Sequence, residues 1–219
     1  MKFITRSYFF RTNIHPLLSK IPGYDYWLLR RKSYLKQKGW FKSFRTGKSI
    51  DLNGNPLPWI TYPAIDFLEE RLPGDCTVFE FGAGYGTYWW AKHANKVISV
   101  EHNAKWLSAL SGNIPENCTM IFRELGQGYE NAISEFDQCF DLVIIDGRNR
   151  VECVKASIDF LTERGVILFD DTNRDKYRKG VDFLLSKGYR QLRFPGFSPI
   201  EFLMCETSLF YKPENLVGL

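Results

Sequence analysis

The sequence of 219 residues lacks any long apolar run. A membrane-spanning helix needs roughly 20 consecutive apolar residues, so we expect no transmembrane segment. Residues 1–18 contain no uninterrupted apolar stretch and no small-residue cleavage site, which argues against a signal peptide. The chain also lacks internal repeats and low-complexity linkers, and 44% of its residues are hydrophobic, so we expect a folded domain.

Cysteine is scarce and scattered. The five cysteines are Cys76, Cys118, Cys139, Cys153 and Cys205, and they form no CxxC pair. The pattern therefore indicates neither a zinc site nor a disulfide framework. It predicts free thiols, as in a reducing cytoplasm.

Acidic residues are almost missing from the first 50 residues. This segment holds twelve Lys and Arg against the single acid Asp25, so the remaining residues carry 17 basic and 24 acidic side chains. Eleven aromatic residues lie in the same segment. We predict a basic aromatic arm over residues 1–55 and a separate domain over residues 56–219. The arm either contacts an anionic membrane surface, polymer or protein, or forms an ordinary solvated face with aromatic packing.

The arm contains one predicted helix, over residues 24–41, broken near Gly39. From Pro63 onward, helical patterns alternate with short apolar segments rich in β-branched residues. The predicted strands cover residues 76–81, 96–101, 118–124, 140–146 and 165–171, and two further strands, 189–194 and 200–212, follow as a hairpin. This order predicts an α/β fold with a doubly wound, mostly parallel, seven-stranded sheet.

Five acids fall at the carboxyl ends of the predicted strands. They are Glu80, Glu101, Asp146, Asp170 and Asp171. In doubly wound sheets the ligand lies beyond these ends. We therefore expect the functional site at this edge of the sheet.

The segment VFEFGAGYGT, residues 78–87, joins the first strand to a helix. The dinucleotide fingerprint G-x-G-x-x-G requires a small residue where Thr87 stands, which disfavours a nicotinamide dehydrogenase. The pattern E-x-G-x-G-x-G instead resembles motif I of class I S-adenosylmethionine-dependent methyltransferases, and the resemblance extends over roughly residues 60–212. It implies a Rossmann-like methyltransferase fold and S-adenosylmethionine as cofactor.

The resemblance also implies roles for individual residues. The glycine loop approaches the methionine and ribose portions, Glu80 helps to hold the cationic amino-acid end, and Glu101 binds the ribose hydroxyls. His102 stacks on adenine, unless it is merely structural, and Glu124 accepts from the adenine amino group. Asp146 lies beside the sulfonium, and segment 56–63 is a candidate lid. The implied cofactor-binding set is Glu80, Gly82, Ala83, Gly84, Gly86, Thr87, Glu101, His102, Glu124, Asp146 and Tyr62.

The class of acceptor is indicated mainly by motifs that are missing. Amine-directed nucleic-acid methyltransferases carry N/D-P-P-Y/F after the fourth strand, and cytosine-C5 enzymes carry Pro-Cys. Neither motif is present, so a nucleic-acid acceptor is not expected. Asp146, Asp170 and Asp171 instead resemble the ligand set of metal-dependent catechol-type O-methyltransferases, with Asp171 in place of Asn. They are candidate ligands of Mg²⁺ or another divalent cation, or else Asp170 and Asp171 cap the next turn. Without a metal, Asp146 or Asp170 is the candidate catalytic base.

Cationic residues cluster after the fourth and fifth strands, at Arg148, Arg150 and Arg174. They are either solvent-exposed helix starts or ligands of a carboxylate or phosphate. With Trp59 they complete the candidate acceptor site, and we expect O-methylation of a small molecule or glycan. The competing hypothesis is a catalytically inactive module that binds an anionic surface through its arm. In either case the protein is expected in the cytoplasm, with peripheral membrane contact through residues 1–50 as a further expectation.

Overall fold

A computed structural model describes residues 8–110, 112 and 114–219. Residues 1–7 of the predicted arm lie outside the described residues. The α-helices of the described part are α1 (His15–Leu18), α2 (Tyr24–Lys32), α3 (Tyr34–Gln37), α4 (Trp40–Thr46), α5 (Tyr62–Arg71), α6 (Tyr85–His93), α7 (Ala104–Leu110), α8 (Arg150–Ser157) and α9 (Arg178–Ser186). A π-helix at Phe10–Ile14 precedes α1, and 3₁₀ turns lie at Ala132–Glu135, Ile158–Phe160 and Asp175–Tyr177.

The strands form one seven-stranded sheet in the order β3-β2-β1-β4-β5-β7-β6. They are β1 (Thr77–Phe81), β2 (Lys96–Glu101), β3 (Cys118–Phe122), β4 (Phe140–Ile145), β5 (Leu161–Asp170), β6 (Arg190–Gly196) and β7 (Cys205–Tyr211). Strands β1 to β5 run parallel, whereas β7 is antiparallel to both β5 and β6. The predicted doubly wound, mostly parallel fold is confirmed.

Both faces of the sheet are covered, as the apolar strands require. Val78 and Leu142 belong to one buried cluster, and Phe79 and Val143 belong to the other. Trp90 is fully buried on α6, as expected for a residue that packs this helix against the sheet. All five cysteines are free.

The arm departs most from its prediction. The single helix expected over 24–41 is divided into α2, α3 and α4, because Ser33 adopts an extended conformation and caps α3 by accepting from Lys36 N at 3.1 Å. The predicted break at Gly39 is present, with φ at +81°. Among the described residues, no helix has the length and apolarity needed to cross a membrane.

The second half of the arm packs onto the sheet domain. Tyr34 donates its hydroxyl to Asp66 at 2.7 Å, and Trp40 Nε1 donates to the Glu201 carbonyl at 2.7 Å. Ser43 is fully buried. These contacts attach α3 to α5, and α4 to the loop before β7. The predicted domain boundary at residue 55 stays a prediction.

Candidate active site

A cavity of about 520 Å³ lies at the carboxyl ends of the parallel strands, within the range of small-molecule sites. Its walls come from the glycine loop, the ends of β1, β2, β4 and β5, and residues from the arm. The predicted site residues in its lining are Trp59, Glu80, Gly82, Ala83, Gly84, Gly86, Glu101, His102, Asp146, Arg148, Arg150, Asp170, Asp171 and Arg174. The fold therefore gathers most of the predicted residues around one space.

The glycine loop lies between the end of β1 and the start of α6. Gly82 has φ at +103°, and a Cβ there would lie 2.8 Å from the backbone of Gly147. A Cβ on Gly86 would lie 3.2 Å from Pro58 and 3.1 Å from a carboxylate oxygen of Glu80. Gly82 therefore needs glycine, and a side chain at position 86 would require Pro58 or Glu80 to shift. At these two positions the loop backbone has no side chain between it and its neighbours.

Glu80 is a buried carboxylate beneath this loop. It accepts from Trp90 Nε1 at 2.9 Å and from Thr87 Oγ1 at 2.5 Å, and Ser99 also donates to it. Burial raises the pKa of Glu80 to about 7, although these three hydrogen bonds oppose the shift. A cation bound in the cavity would stabilise its charged form.

This raised pKa predicts how Glu80 affects stability. A carboxyl whose folded pKa exceeds its ordinary value of 4.5 stabilises the fold at low pH, and this stabilisation is lost as pH rises toward 7. Between about pH 5 and pH 8, the wild-type protein should lose about 2 to 4 kcal/mol more unfolding free energy than Glu80→Gln. Urea unfolding at both pH values measures the difference. Equal pH dependence in the two proteins would contradict the assignment.

Glu101 ends β2 with its side chain buried against the cavity. Its Oε1 accepts from the backbone N of Asn103 at 2.7 Å and lies 2.9 Å from His102 Nδ1. Oε2 accepts no hydrogen bond from the part of the chain that the structure describes. The carboxylate is thus held in one orientation and keeps an oxygen for ligand hydroxyls.

Three predicted cofactor residues lie outside the cavity lining. Tyr62 is fully buried at the start of α5 and contacts Tyr34 edge-to-face, so it is a core residue. Thr87 is also fully buried, and its hydroxyl joins Glu80 to the backbone N of Gly84. Glu124 is exposed, because β3 ends two residues earlier than predicted, at Phe122. The structure supports no cofactor contact for these three side chains.

The lining also contains residues that the sequence did not indicate. Trp106 on α7 donates Nε1 to the Ala83 carbonyl at 2.7 Å and stays 42% exposed. Ser49 of the arm and Ile200, before β7, also line the cavity. The position of Trp106 on the helix that follows Glu101 could have indicated that it lines the cavity. Ser49 and Ile200 reach the lining only through long-range packing.

Arg150 lies at the centre of the acidic cluster formed by Asp146, Asp170 and Asp171. Its guanidinium is 3.0 Å from Asp146 Oδ1, 3.4 Å from Asp170 Oδ2 and 3.3 Å from Asp171 Oδ2. It also donates to the carbonyls of Asp146, Gly147 and Asp170 at 2.7 to 2.9 Å. The predicted role of Arg150 in acceptor binding is not supported, because its guanidinium N–H groups already donate to oxygens of the protein.

The same geometry bears on the predicted divalent cation. The three carboxylates surround a guanidinium, which occupies the centre of the proposed ligand set and neutralises part of its charge. Among the described residues, no group of three or more His, Cys, Asp or Glu is arranged to hold a metal ion. The site does not fit the divalent cation, and we derive no step through it.

Removal of Arg150 should destabilise the fold. Arg150→Met leaves three adjacent carboxylates without their cation, so we expect a loss of about 3 to 5 kcal/mol of unfolding free energy near pH 7. Burial already raises the pKa of Asp170 to about 6, so protonation at lower pH should make the loss smaller. Chemical denaturation near pH 7, and at pH values below the pKa of Asp170, measures this loss of unfolding free energy. Arg178→Met, at an exposed pair with Asp182, is the control and should cost less than about 1 kcal/mol; an equal cost in both variants would contradict the assignment.

Comparisons with known proteins agree with this geometry. Residues 79–172 match the family model described as "Methyltransferase domain". Residues 79–172 therefore form a methyltransferase domain. No curated protein matched the sequence significantly.

Solved structures share the fold of this methyltransferase. Precorrin-6y C5,15-methyltransferase from Geobacter metallireducens is 20% identical, with a TM-score of 0.53 over 68% of this chain and 87% of that one. An rRNA methylase from Streptococcus thermophilus is 18% identical, with a TM-score of 0.51 over 70% and 99%. The N-methyltransferase NodS from Bradyrhizobium japonicum, solved with S-adenosyl-L-homocysteine, is 13% identical, with a TM-score of 0.50 over 81% and 100%.

S-adenosylmethionine is the cofactor of this methyltransferase, and the cavity fits it. Gly82 and Gly86 place no side chain at two positions of the loop, while Glu101 offers a carboxylate oxygen for ribose hydroxyls. Glu80 supplies negative charge near the glycine loop. The competing hypothesis of a catalytically inactive module is not retained, whereas binding by the arm is a separate question.

Proposed function

We propose that this methyltransferase transfers the methyl group to a hydroxyl of a small, anionic molecule or glycan. The observation that carries the proposal is that one carboxylate oxygen of Asp146 is available to accept a hydrogen bond from a ligand. Its Oδ1 accepts from Arg150 at 3.0 Å, whereas Oδ2 accepts no hydrogen bond from the described residues. Both carboxylate oxygens of Asp170 are occupied, by Thr207 at 2.6 Å and by Arg150.

Asp146 has the properties of a general base for a hydroxyl. Burial raises its pKa well above the ordinary value; Arg150 opposes this shift, and Asp170 and Asp171 add to it. A carboxylate with a raised pKa accepts a proton more readily. We assign the base to Asp146 and a positioning role to Asp170.

The bound cofactor supplies a methyl group made electrophilic by its sulfonium. As the hydroxyl oxygen forms its bond to the methyl carbon, Asp146 takes the hydroxyl proton, and the electron pair of the broken carbon–sulfur bond stays on sulfur. Arg150 holds Asp146 in place through the backbone and side-chain contacts described above. Much of the rate then comes from the alignment of oxygen and methyl carbon.

The charge of the acceptor is inferred from the cavity mouth. Arg148 and Lys176 are exposed there, and Arg174 is 48% exposed although it also pairs with Asp171. Cations at a mouth above an acidic floor favour an acceptor with a carboxylate or phosphate that stays at the mouth. Trp59, half exposed in the same lining, offers an apolar face for a sugar or aromatic ring.

An acceptor screen tests this proposal. The protein is incubated with S-adenosylmethionine labelled in the methyl group and with separate pools of uronic acids, sugar phosphates, phenolic acids, amines and ribosomal RNA. We expect label in a hydroxyl of an anionic pool, with the O-methyl group located by mass spectrometry. Transfer to an amine or to RNA, with none to hydroxyl acceptors, would overturn the proposal.

The position of Arg150 also predicts independence from divalent cations. We expect EDTA to change the rate of methyl transfer by less than about twofold, because the catalytic proton transfer is assigned to a carboxylate rather than to a metal-bound hydroxyl. The measurement compares initial rates with EDTA and with added Mg²⁺. A loss of activity in EDTA that Mg²⁺ restores would show that the metal-ligand prediction was right.

A further inference from the structure

An exposed apolar patch lies beside the cavity mouth. Phe202, Leu203 and Met204 are consecutive residues between β6 and β7, with 61%, 61% and 66% of their surfaces exposed. Phe44 of α4 is 48% exposed and contacts Phe202 edge-to-face, with ring centroids 6.2 Å apart. We call these four residues the mouth patch. Contiguous exposed apolar side chains of this kind mark interaction sites.

The segment that carries the patch is fixed by specific contacts. Glu201 Oε1 accepts from the backbone N of Phe202 at 2.9 Å and of Leu203 at 3.3 Å. The Glu201 carbonyl accepts from Trp40 Nε1 at 2.7 Å. Ile200, just before, adopts φ of +72°, a strained conformation for a β-branched residue. The folded chain therefore holds three large apolar side chains outward.

Exposed basic residues lie close to the patch in sequence or in the adjoining cavity lining. Arg45 and Lys48 are exposed immediately after Phe44 on the chain. Arg174 and Lys176 lie in the cavity lining together with Ile200 and Glu201, which adjoin the patch. Glu201, the acidic residue nearest to the patch in sequence, accepts two backbone hydrogen bonds of this loop through one carboxylate oxygen. Exposed Lys and Arg side chains are therefore available on α4 and at the cavity mouth next to the patch.

We propose that the mouth patch docks on an anionic membrane surface, with Phe202, Leu203 and Met204 entering the interface between headgroups and acyl chains. Apolar side chains flanked by Lys and Arg match a surface that is apolar within and negatively charged outside. The excess of eleven positive charges in residues 1–50 favours the same partner. A second copy of the chain is a poorer partner, because the excess positive charge of residues 1–50 in the two copies would repel.

Docking in this way directs the cavity mouth toward the lipid headgroups. Ile200 and Cys205 line the cavity on either side of the three apolar residues. The loop that carries the patch therefore forms part of the cavity wall. This inference concerns binding alone and does not rest on the acceptor proposed above.

Vesicle flotation with the full chain tests the proposal. Vesicles contain phosphatidylcholine alone or phosphatidylcholine with phosphatidylglycerol. We expect the wild-type protein to float with the anionic vesicles, and the triple variant Phe202→Ser, Leu203→Ser, Met204→Ser to bind them at least about tenfold more weakly. The control variant Phe122→Ser, Leu185→Ser changes two exposed apolar residues outside the patch (41% and 42% exposed) and should bind as the wild type does.

A fluorescence measurement on single-cysteine labels distinguishes insertion from charge attraction. Cys139 is exposed and immediately precedes β4, at the opposite edge of the sheet from the cavity, and the other four cysteines are buried. An environment-sensitive dye at Cys139 should show no change with anionic vesicles. In Met204→Cys, made in a Cys139→Ser background, the dye should shift to shorter wavelength.

Three results would overturn the proposal. One is equal vesicle binding by the wild type and the triple variant, and another is no spectral shift at position 204 while the protein floats. The third is a wild-type protein that ignores vesicles but is dimeric, with the triple variant monomeric. That outcome would assign the mouth patch to a second copy of this chain.

Discussion

Replacing Glu101 with alanine is expected to weaken the binding of S-adenosylhomocysteine roughly 10- to 150-fold. The Glu101 carboxylate is buried and oriented by the backbone N of Asn103, so its second oxygen is available to the ribose hydroxyls. A hydrogen bond to a charged group contributes about 1.5 to 3 kcal/mol, which corresponds to this range of affinity. Isothermal titration calorimetry measures the dissociation constants directly.

Two further variants control this experiment. Glu101→Gln keeps an oxygen that can accept from Asn103 N, so its loss of affinity should be smaller than that of the alanine variant. Glu124→Ala removes an exposed carboxylate outside the cavity lining and should leave the affinity unchanged. If Glu101→Ala stays folded and binds as tightly as the wild type, the ribose assignment fails.

Replacing Asp146 with asparagine should lower kcat about 10²- to 10⁴-fold, the usual contribution of a general base. The substitution preserves shape and keeps an oxygen for Arg150, so the affinity for S-adenosylhomocysteine should change less than about threefold. In the wild type, kcat should rise with pH as the raised pKa of Asp146 is passed, because only the carboxylate accepts the proton. The variant should lack this rise.

Single-turnover rates with the acceptor from the screen give the measurement for Asp146. Asp182→Asn, at an exposed pair on α9, is the matched control and should retain the wild-type rate. An Asp146→Asn protein that is slow but keeps the wild-type pH profile would move the base to another residue. Asp170→Asn would then be tested in the same way.

The fold was predictable because its signals are local. Short apolar segments alternate with helical patterns, and parallel strands bring their carboxyl ends to one edge. Glu101 and Asp146 could therefore be placed beside the glycine loop from their positions alone. The prediction needed no knowledge of the order in which the strands pair.

The parts of the site that could not be predicted depend on side-chain direction and long-range packing. Arg150 follows Asp146 by four residues, but no local pattern shows that its guanidinium turns inward among three carboxylates. Thr87 correctly indicated that the glycine loop is not a dinucleotide fingerprint. Its hydroxyl, however, donates to Glu80 and does not line the cavity. Ser49 reaches the lining only because the arm packs across the end of the sheet.

A crystal structure of the full chain with S-adenosylhomocysteine would show whether the cofactor lies between Glu101 and Asp146. We predict the nucleoside in the cavity above the glycine loop, with the ribose hydroxyls bonded to Glu101 and the sulfur facing Asp146. A nucleoside bound elsewhere, or a sulfur directed away from Asp146, would contradict it.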